Sequence, residues 1–339
     1  MLRGECKGEL PVSHIKMKAL GVYHPSHSLD NEYYIRHFDE QGKDIRRFME
    51  HMGRKKRYII DNPDENGLTM GIAAAQKALE QAGMTGRDVD MIVFSSQVPE
   101  SLFPMNALFV HQAIGARHDV AVMDSNANCA GMTVAVDQAS RAMLSNSDVR
   151  TALIIGSDYN SLISGPEDEI TYANYGDAAC AAILERTEED TGFIDSMYFT
   201  DPINIDKILY PAQGLAATLQ RNAPGKYIQW LPFDANMALP PTYDLLERIL
   251  KKNGLAPQDV RAYCLSQFSL ANVLKIQDHL QLEDAQMIYV GDRYGYTGTS
   301  SPFIALYEGI ESGRIRRGDY VLFWTIGAGY QLVAMLFKY

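Results

Sequence analysis

The chain contains two copies of one pattern, set 171 positions apart. The segment "KALEQAGMTGRDVDMIVFSS" resembles "RILKKNGLAPQDVRAYCLSQ" in its helical stretch, its glycine, its Asp-Val pair and its apolar strand. The same spacing joins four pairs of positions: Gly83 with Gly254, Asp88 with Asp259, Gly156 with Gly327, and Cys129 with Ser300. An ungapped match across several segments indicates a molecule built from two copies of one unit.

Each copy alternates apolar strands with helical patterns. The stretch "LTMGIAAAQKALEQAG" is typical of a helix, whereas "DMIVFSSQ" and "TALIIGSDY" are the short apolar runs of buried strands. This alternation predicts an α/β fold whose halves pack into one layered body around a pseudo-twofold axis. Ligands collect beyond the carboxyl ends of strands in such sheets. The repeat therefore nominates four loops for a site: residues 125–129, 266–272, 295–300 and 327–330.

The composition argues against several classes of function. A formal net charge of −11 over 339 residues disfavours general binding to nucleic acid or anionic lipid. No run of about 18 apolar residues is present to span a membrane, and the opening segment lacks the apolar core of a signal peptide, so we expect a cytoplasmic protein. The cysteines form no CxxC pair, which predicts free thiols and no metal site; they are Cys6, Cys129, Cys180 and Cys264. Of these, Cys180 and Cys264 lie in apolar strand patterns and are expected in the core.

Cys129 has a different setting. It follows an apolar strand, lies beside Asn126, Asn128 and Gly131, and opens the helical pattern "AGMTVAVDQASRAML". Backbone amides and the dipole at a helix N-terminus stabilise a thiolate, so we expect a lowered pKa and a nucleophilic sulfur. The alternative is a small buried apolar residue without chemistry.

A succession of segments resembles the thiolase superfamily, and in particular β-ketoacyl-acyl-carrier-protein synthase III. They include "SLFPMNALFVHQAIGA", "NANCAGMTVAVDQA", "YGDAACAAIL", "NGLAPQDVRAYCLSQFSLAN" and "DRYGYTGTSSPFIALYEGIESGRIRRGDYVL". The resemblance covers nearly the whole chain and implies a five-layered αβαβα fold. It implies an N-terminal half over residues 1–190 and a C-terminal half over residues 191–339, packed as one body. It also implies a homodimer, with a heterodimer with a related synthase as the alternative.

The resemblance assigns chemistry to two residues. In this family a cysteine accepts an acyl group from coenzyme A or an acyl carrier protein, and Cys129 matches that position. Gly329 matches the glycine whose N–H joins that of the cysteine in the oxyanion hole, where two amides stabilise the developing charge. The thioester is a substrate, so no separate cofactor is expected. Fatty-acid and polyketide-like metabolism both fit this chemistry.

The sequence departs from the family at the other two catalytic positions. A histidine usually stands three residues before the asparagine of an Ala-Asn pair, and here Ala271-Asn272 places Ser269 there. An asparagine usually follows the glycine of a "GN(T/S)" loop, and here that residue is Tyr296. All eight histidines fall outside the four nominated loops. No Cys-His-Asn triad can therefore be assembled.

This departure changes the expected reaction. Hydroxyl groups donate hydrogen bonds but are poor bases near neutral pH, so we expect acylation of Cys129 to survive and decarboxylative condensation to be impaired. The predicted protein is an acyltransferase with an atypical second step; the alternative is a weakly active or non-catalytic partner subunit of a heteromeric synthase. Ser269 itself has other interpretations: the N-cap of the helix "LANVLKIQDHL", or a shift that puts Phe268 or Gln267 in its place.

The resemblance also nominates residues that bind substrate. The basic run "HMGRKKRYI" places Arg54, Lys55 and Arg57 near the family's entrance for coenzyme A and the carrier protein, whose phosphates or acidic surface would suit them. A solvated charged turn is the alternative. Phe103 matches a residue that reaches across the dimer to shape the acyl pocket, with a core aromatic as the alternative. Asn272, from the Ala-Asn pair, is also expected to contact substrate.

Overall fold

The computed structural model describes residues 13–221 and 225–339. Cys6 and the opening segment lie outside these ranges. The strands of the first half are β1 (His14–Tyr23), β2 (Ser28–Asp30), β3 (Lys56–Tyr58), β4 (Met91–Ser95), β5 (Ala121–Ser125), β6 (Thr151–Asp158) and β7 (Ala178–Thr187). Its α-helices are α1 (Asn31–Asp39), α2 (Arg46–Met52), α3 (Gly67–Ala82), α4 (Asn106–Ile114), α5 (Gly131–Ser145), α6 (Asn160–Ile163) and α7 (Glu169–Tyr172).

The second half follows a short turn after β7. Its strands are β8 (Gly192–Thr200), β9 (Ile208–Leu209), β10 (Gln229–Trp230), β11 (Val260–Leu265), β12 (Tyr320–Gly327) and β13 (Gln331–Lys338). Its α-helices are α8 (Leu215–Arg221), α9 (Leu239–Lys252), α10 (Leu270–Leu280), α11 (Gly291–Tyr294) and α12 (Ser301–Glu311).

The first half forms a five-stranded sheet in the order β1-β7-β6-β4-β5. β4 pairs in parallel with both neighbours, so that Phe94 stands opposite Asp124 on β5 and Ile155 on β6. The β7 strand pairs antiparallel with β6 and β1. Because β4, β5 and β6 are parallel, their carboxyl ends lie at one edge of the sheet.

The second half forms a four-stranded sheet in the order β11-β12-β13-β8. β11 and β12 are parallel, with Leu265 opposite Trp324, whereas β13 is antiparallel to both of its neighbours. The carboxyl ends of β11 and β12 therefore also lie side by side.

Helices enclose and separate the two sheets. The helices α3 and α4 pack on the outer face of the first sheet, against Phe94 and its neighbours. On the outer face of the second sheet, α9 and α10 pack in the same way. Between the sheets lie α5 and α12, with Met132 and Phe303 buried in one core that also includes Cys180 and Cys264. These are the five αβαβα layers that the family resemblance implied, and the two strand cysteines are core residues as expected.

The two copies of the repeat share a glycine that ends a helix. Gly83 and Gly254 both follow the long outer helix of their half, with φ of 66° and 68°. This left-handed conformation ends the helix, and glycine adopts it without a steric cost. The turn allows the chain to continue into a strand of the same sheet, β4 in one half and β11 in the other.

A segment between β8 and α9 covers one end of the second half. Its short strands β9 and β10 pair as a two-stranded ribbon, with Trp230 opposite Ile208. The indole of Trp230 stacks parallel to the ring of Phe268, with 5.4 Å between ring centroids. We call residues 202–221 and 225–238 the cap segment; it encloses the cavity described below.

Candidate active site

Cys129 lies in the short connection between β5 and α5. The helix begins at Gly131, two residues later than the cysteine, and Asn128 has a positive φ of 51°. The Asn128 N–H donates to Asn126 Oδ1 at 2.8 Å, which holds the turn. A side chain at position 131 would come within 2.3 Å of Ser95 Oγ, so the glycine lets the helix start lie against the end of β4.

The thiol of Cys129 is desolvated. Burial raises its pKa to about 11, a hydrogen bond from the Tyr296 hydroxyl acts in the opposite direction, and the nearby Asp158 carboxylate raises it further. The expectation of a lowered pKa is therefore wrong. The amides of the following helix begin beyond the cysteine, and loss of water outweighs their effect.

A cavity of about 200 Å³ opens onto the thiol. All four loops nominated by the repeat contribute to its wall, through Asn126, Ser266, Tyr296 and Gly327 among others. The cap segment and the adjoining helices supply most of its apolar lining, which includes Ile208, Tyr210, Ile228, Trp230, Phe233, Met237, Leu239 and Val273. An apolar cavity with a few convergent polar groups is the usual form of a small-molecule site.

Tyr296 lies beside the thiol, as its place in the sequence predicted. Its side chain is buried, its ring meets that of Phe268 edge to face at 5.1 Å, and the ring of Tyr175 lies 5.7 Å away. Burial raises the pKa of Tyr296 well above the usual value, so its hydroxyl stays protonated. The residue can donate a hydrogen bond to a sulfur or an oxyanion, and it cannot act as a base at neutral pH.

Ser269 is the N-cap of α10 and also lines the cavity. Its Oγ accepts a hydrogen bond from the Asn272 N–H at 3.4 Å. The capping interpretation is thus the one that the structure supports, and the hydroxyl keeps its own proton free for a second interaction. Asn272 lines the same cavity. Of the two residues offered by a shift, Phe268 lines the cavity, whereas Gln267 is buried and bonded to backbone groups.

Gly329 lies in the turn between β12 and β13, on the cavity wall. Its φ of 118° is a conformation that other residues rarely adopt, and a Cβ added there would meet no atom within 4 Å. The Gly329 carbonyl accepts from the Asn204 N–H at 3.1 Å. The turn is therefore tied to the cap segment, which fixes the peptide that faces the cavity.

Two arginines of the basic run do not bind substrate, and that prediction is wrong. Arg54 is 3% exposed and donates to Asn174 Oδ1 at 2.6 Å, to the carbonyls of Gln267 and Phe268 at 2.6 and 2.7 Å, and to the Tyr289 hydroxyl. These protein acceptors satisfy the guanidinium, which cannot reach a phosphate from inside the core. It instead holds the loop that precedes Ser269.

The second arginine is equally enclosed. Arg57 is 0% exposed, lies 4.0 Å above the Tyr34 ring, and donates to Asn31 Oδ1 and to the Ala173 carbonyl. Burial lowers the pKa of both arginines. Lys55 alone among the three nominated cations is exposed, and it pairs with Asp292 at 3.2 Å. Residues 54–57 therefore do not form a continuous basic surface, because the two arginines point into the protein and Lys55 points into solvent.

Phe103 is 93% exposed. It does not line the cavity of its own chain, and the alternative of a core aromatic is wrong. An exposed phenylalanine is costly in water, and Met123 on the edge strand β5 is exposed as well. The side chain is thus available to a second molecule.

Sequence reasoning missed one residue next to the nucleophile. The Cys129 thiol donates to Gln97 Oε1 at 3.6 Å, a long hydrogen bond because sulfur is a large atom. Gln97 follows β4 by two residues, so the rule that ligands collect at the carboxyl ends of strands could have identified it. Within the described ranges, no histidine lines the cavity.

The described residues offer neither a metal site nor a membrane-spanning helix. In residues 13–221 and 225–339, no group of three or more His, Cys, Asp or Glu is placed to hold a metal ion. None of the helices in the same ranges is long and apolar enough to cross a bilayer.

Two family models match the chain. Residues 123–202 match the model of 3-oxoacyl-[acyl-carrier-protein (ACP)] synthase III, and residues 250–339 match the model of the C-terminal part of that enzyme. The first match includes Cys129, and the second includes Ser269, Tyr296 and Gly329. Together the two matches, of 80 and 90 residues, span half of the 339 residues.

Curated proteins and solved structures agree with these matches. The beta-ketoacyl-[acyl-carrier-protein] synthase III of Solibacter usitatus is 28% identical over 331 residues, which cover 96% of this chain and 98% of that protein. That of Clostridium perfringens is 28% identical over 326 residues, covering 95% and 98%. The Aquifex aeolicus 3-oxoacyl-[acyl-carrier-protein] synthase III has a TM-score of 0.83 at 23% identity, covering 96% of this chain and 100% of that one. The priming beta-ketosynthase of the R1128 polyketide pathway has a TM-score of 0.87 at 21% identity, covering 96% of each.

Proposed function

The chain belongs to the 3-oxoacyl-[acyl-carrier-protein] synthase III family, and on that premise we propose that it transfers an acyl group from a coenzyme A or carrier-protein thioester to Cys129. One observation carries the proposal: the only cysteine that lines the cavity in the described part of the chain lies where the family models match, with a hydroxyl donor and a glycine turn facing it. The proposed role of this acyl transfer is to prime fatty-acid or polyketide synthesis.

The acylation step replaces the thioester bond of the donor with a thioester bond to Cys129. The sulfur of Cys129 attacks the thioester carbonyl, the bond to the donor sulfur breaks, and the thiol proton passes to that departing sulfur. The N–H groups of Cys129 and Gly329 are proposed to bind the carbonyl oxygen as it gains charge, which is worth a few kcal/mol of barrier. The Tyr296 hydroxyl supports the attacking sulfur through its hydrogen bond.

The second step is proposed to differ from a decarboxylative condensation. That reaction needs strong donors for the charge that forms as carbon dioxide leaves, and the cavity offers hydroxyls and amides in place of an imidazole. Ser269 and Tyr296 can each donate one hydrogen bond, but neither carries a charge at neutral pH. We therefore propose that acyl transfer is retained and malonyl decarboxylation is slow.

The proposal is tested by the mass of the intact protein after incubation with acyl-CoA and acyl-carrier-protein donors. We expect an added acyl mass on the native chain, no addition on Cys129→Ala, and retained addition on the matched controls Cys180→Ala and Cys264→Ala, whose thiols are buried in the core. If no donor gives an adduct, the proposed acyltransferase activity is refuted and the partner-subunit alternative is favoured.

We also propose that two copies of the chain pair. The β5 strand lies at the edge of its sheet and carries the exposed Met123, and the segment of chain between β4 and β5 exposes Leu102, Phe103 and Leu108. Exposed apolar side chains around an unpaired strand edge are a ready interface. Light scattering after size exclusion is expected to give twice the mass of one chain, and Phe103→Asp is expected to reduce it. A native protein with the mass of one chain would contradict the homodimer. A complex with a related synthase chain would support the heterodimer in its place.

A further inference from the structure

The structure fixes the orientation of the Gln97 side chain through a relay of hydrogen bonds. Asn160 Nδ2 lies 3.4 Å from the carbonyls of Gly176 and Tyr296. Both partners are acceptors only, so this end of the Asn160 amide must be the NH₂ group. Its Oδ1 consequently faces Gln97.

The next link follows from the first. Gln97 Nε2 donates to Asn160 Oδ1 at 2.9 Å, so the other end of the Gln97 amide is the oxygen, and that oxygen faces the Cys129 sulfur at 3.6 Å. The backbone is held as well, because the Gln97 N–H donates to Asp158 Oδ1 at 2.8 Å. Gln97 is therefore a fixed hydrogen-bond acceptor at the nucleophile, and Asn160 and Asp158 position it.

Acylation of Cys129 removes the proton that Gln97 accepts. The amide oxygen then faces the cavity beside the thioester without a donor, and an unpaired acceptor in a desolvated site carries a free-energy cost. A site of this kind selects a ligand that returns the missing donor and discriminates against one that lacks it. The methylene carbon of a malonyl group offers no such donor.

We propose that Gln97 is a catalytic residue of the second half-reaction and that the second substrate is a primary amine or a hydroxyl compound. Its N–H or O–H donates to Gln97 Oε1, which aims the nitrogen or oxygen at the acyl carbon. The new bond forms as the carbon–sulfur bond to Cys129 breaks, and the proton of the nucleophile passes to the departing sulfur and restores the thiol. This inference rests on the acylation proposed above.

The charged and titratable groups around this position are consistent with an acceptor role. Tyr175 and Tyr296 are protonated donors, and both lie with Cys129 in the cavity wall. Asp158 is enclosed by the N–H groups of Gln97 and Thr299 and by the Ser96 hydroxyl, so its oxygens are occupied. Gln97 is thus the side chain that presents an acceptor directly to the sulfur.

The test separates the two half-reactions. Acyl-Cys129 enzyme is prepared and freed of donor, and its decay is followed by intact mass after a chase with propylamine, ethanolamine or malonyl-CoA. We expect the amine and hydroxyl compounds to discharge the native acyl-enzyme at least about tenfold faster than malonyl-CoA does. In Gln97→Leu the rate of discharge by these compounds should be at least about tenfold lower. Gln97→Met, which keeps the length of the side chain but carries no amide oxygen, is expected to lose the rate in the same way.

The matched control is Gln138→Leu, an exposed position on the helix that follows Cys129, which should discharge at the native rate. Faster discharge by malonyl-CoA with release of carbon dioxide, or unchanged amine rates in Gln97→Leu, would overturn the inference while leaving the acylation proposal intact. If none of the donors forms the acyl-enzyme, the acylation proposal and this inference are both refuted.

Discussion

The most distinctive expectation concerns the reactivity of Cys129 as a function of pH. Desolvation raises the pKa of its thiol to about 11, so the group is neutral at physiological pH and ionises only as the pH rises. Relative to an ordinary cysteine with a pKa near 8.5, the thiolate fraction at neutral pH is lower by about 300-fold. The more basic thiolate is intrinsically more nucleophilic, which offsets about tenfold of that loss. Alkylation should therefore be about 30-fold slower than that of an unperturbed cysteine.

The assay is iodoacetamide alkylation between pH 7 and pH 10, followed by mass of the peptide that contains Cys129, with Cys129→Ala as background. The logarithm of the rate should rise with a slope near one across the whole range, because each pH unit below the pKa changes the thiolate fraction tenfold. A plateau below about pH 9 would show that the thiol ionises readily and would refute the dominance of desolvation.

Three further predictions concern Tyr296, the buried Arg54 and the helix cap Ser269. Tyr296→Phe removes the hydrogen bond that favours the thiolate, and alkylation at pH 9 should slow by about threefold to tenfold once the higher nucleophilicity of a more basic thiolate is included; an unchanged rate would show that the hydroxyl does not support the sulfur. Arg54→Met leaves four protein acceptors without their donor and should lower the free energy of unfolding by about 3 kcal/mol or more, whereas the exposed Lys55→Met should change it by less than about 0.5 kcal/mol; equal effects in denaturant titrations would contradict the buried role. Ser269→Ala should cost about 1 kcal/mol of stability through loss of the helix cap, and Ser269→Asn should restore it; failure of the asparagine to do so would argue against capping.

A layered body of two α/β halves could be predicted from the sequence because the repeat consists of local signals, whereas the αβαβα order came from the family resemblance. A helix-ending glycine such as Gly83 and the apolar strand after it recur at a fixed spacing, and two open α/β units have few ways to bury their sheets. The same reasoning located the four loops that meet at the cavity, since strand ends of matching units converge. Cys129, Tyr296 and Gly329 were therefore placed correctly at one site.

The errors have a common physical origin in burial. The sequence shows that Arg54 and Arg57 are basic, but only the packed structure shows that carbonyls and a tyrosine ring enclose them. The thiol pKa was misjudged for the same reason, because a helix N-terminus is a local signal and desolvation is a property of the whole site. Gln97 was missed because its role depends on Asn160, more than sixty positions away in the chain.

The central claim is that Cys129 accepts the acyl group in a cavity that no histidine of residues 13–221 and 225–339 lines. The most direct measurement is proteolysis and peptide mass analysis after incubation with decanoyl-CoA. The account predicts one decanoyl increment on the peptide that contains Cys129, lost on treatment with hydroxylamine as expected for a thioester. An increment on any other residue, or none in the native protein while the fold is intact, would contradict it.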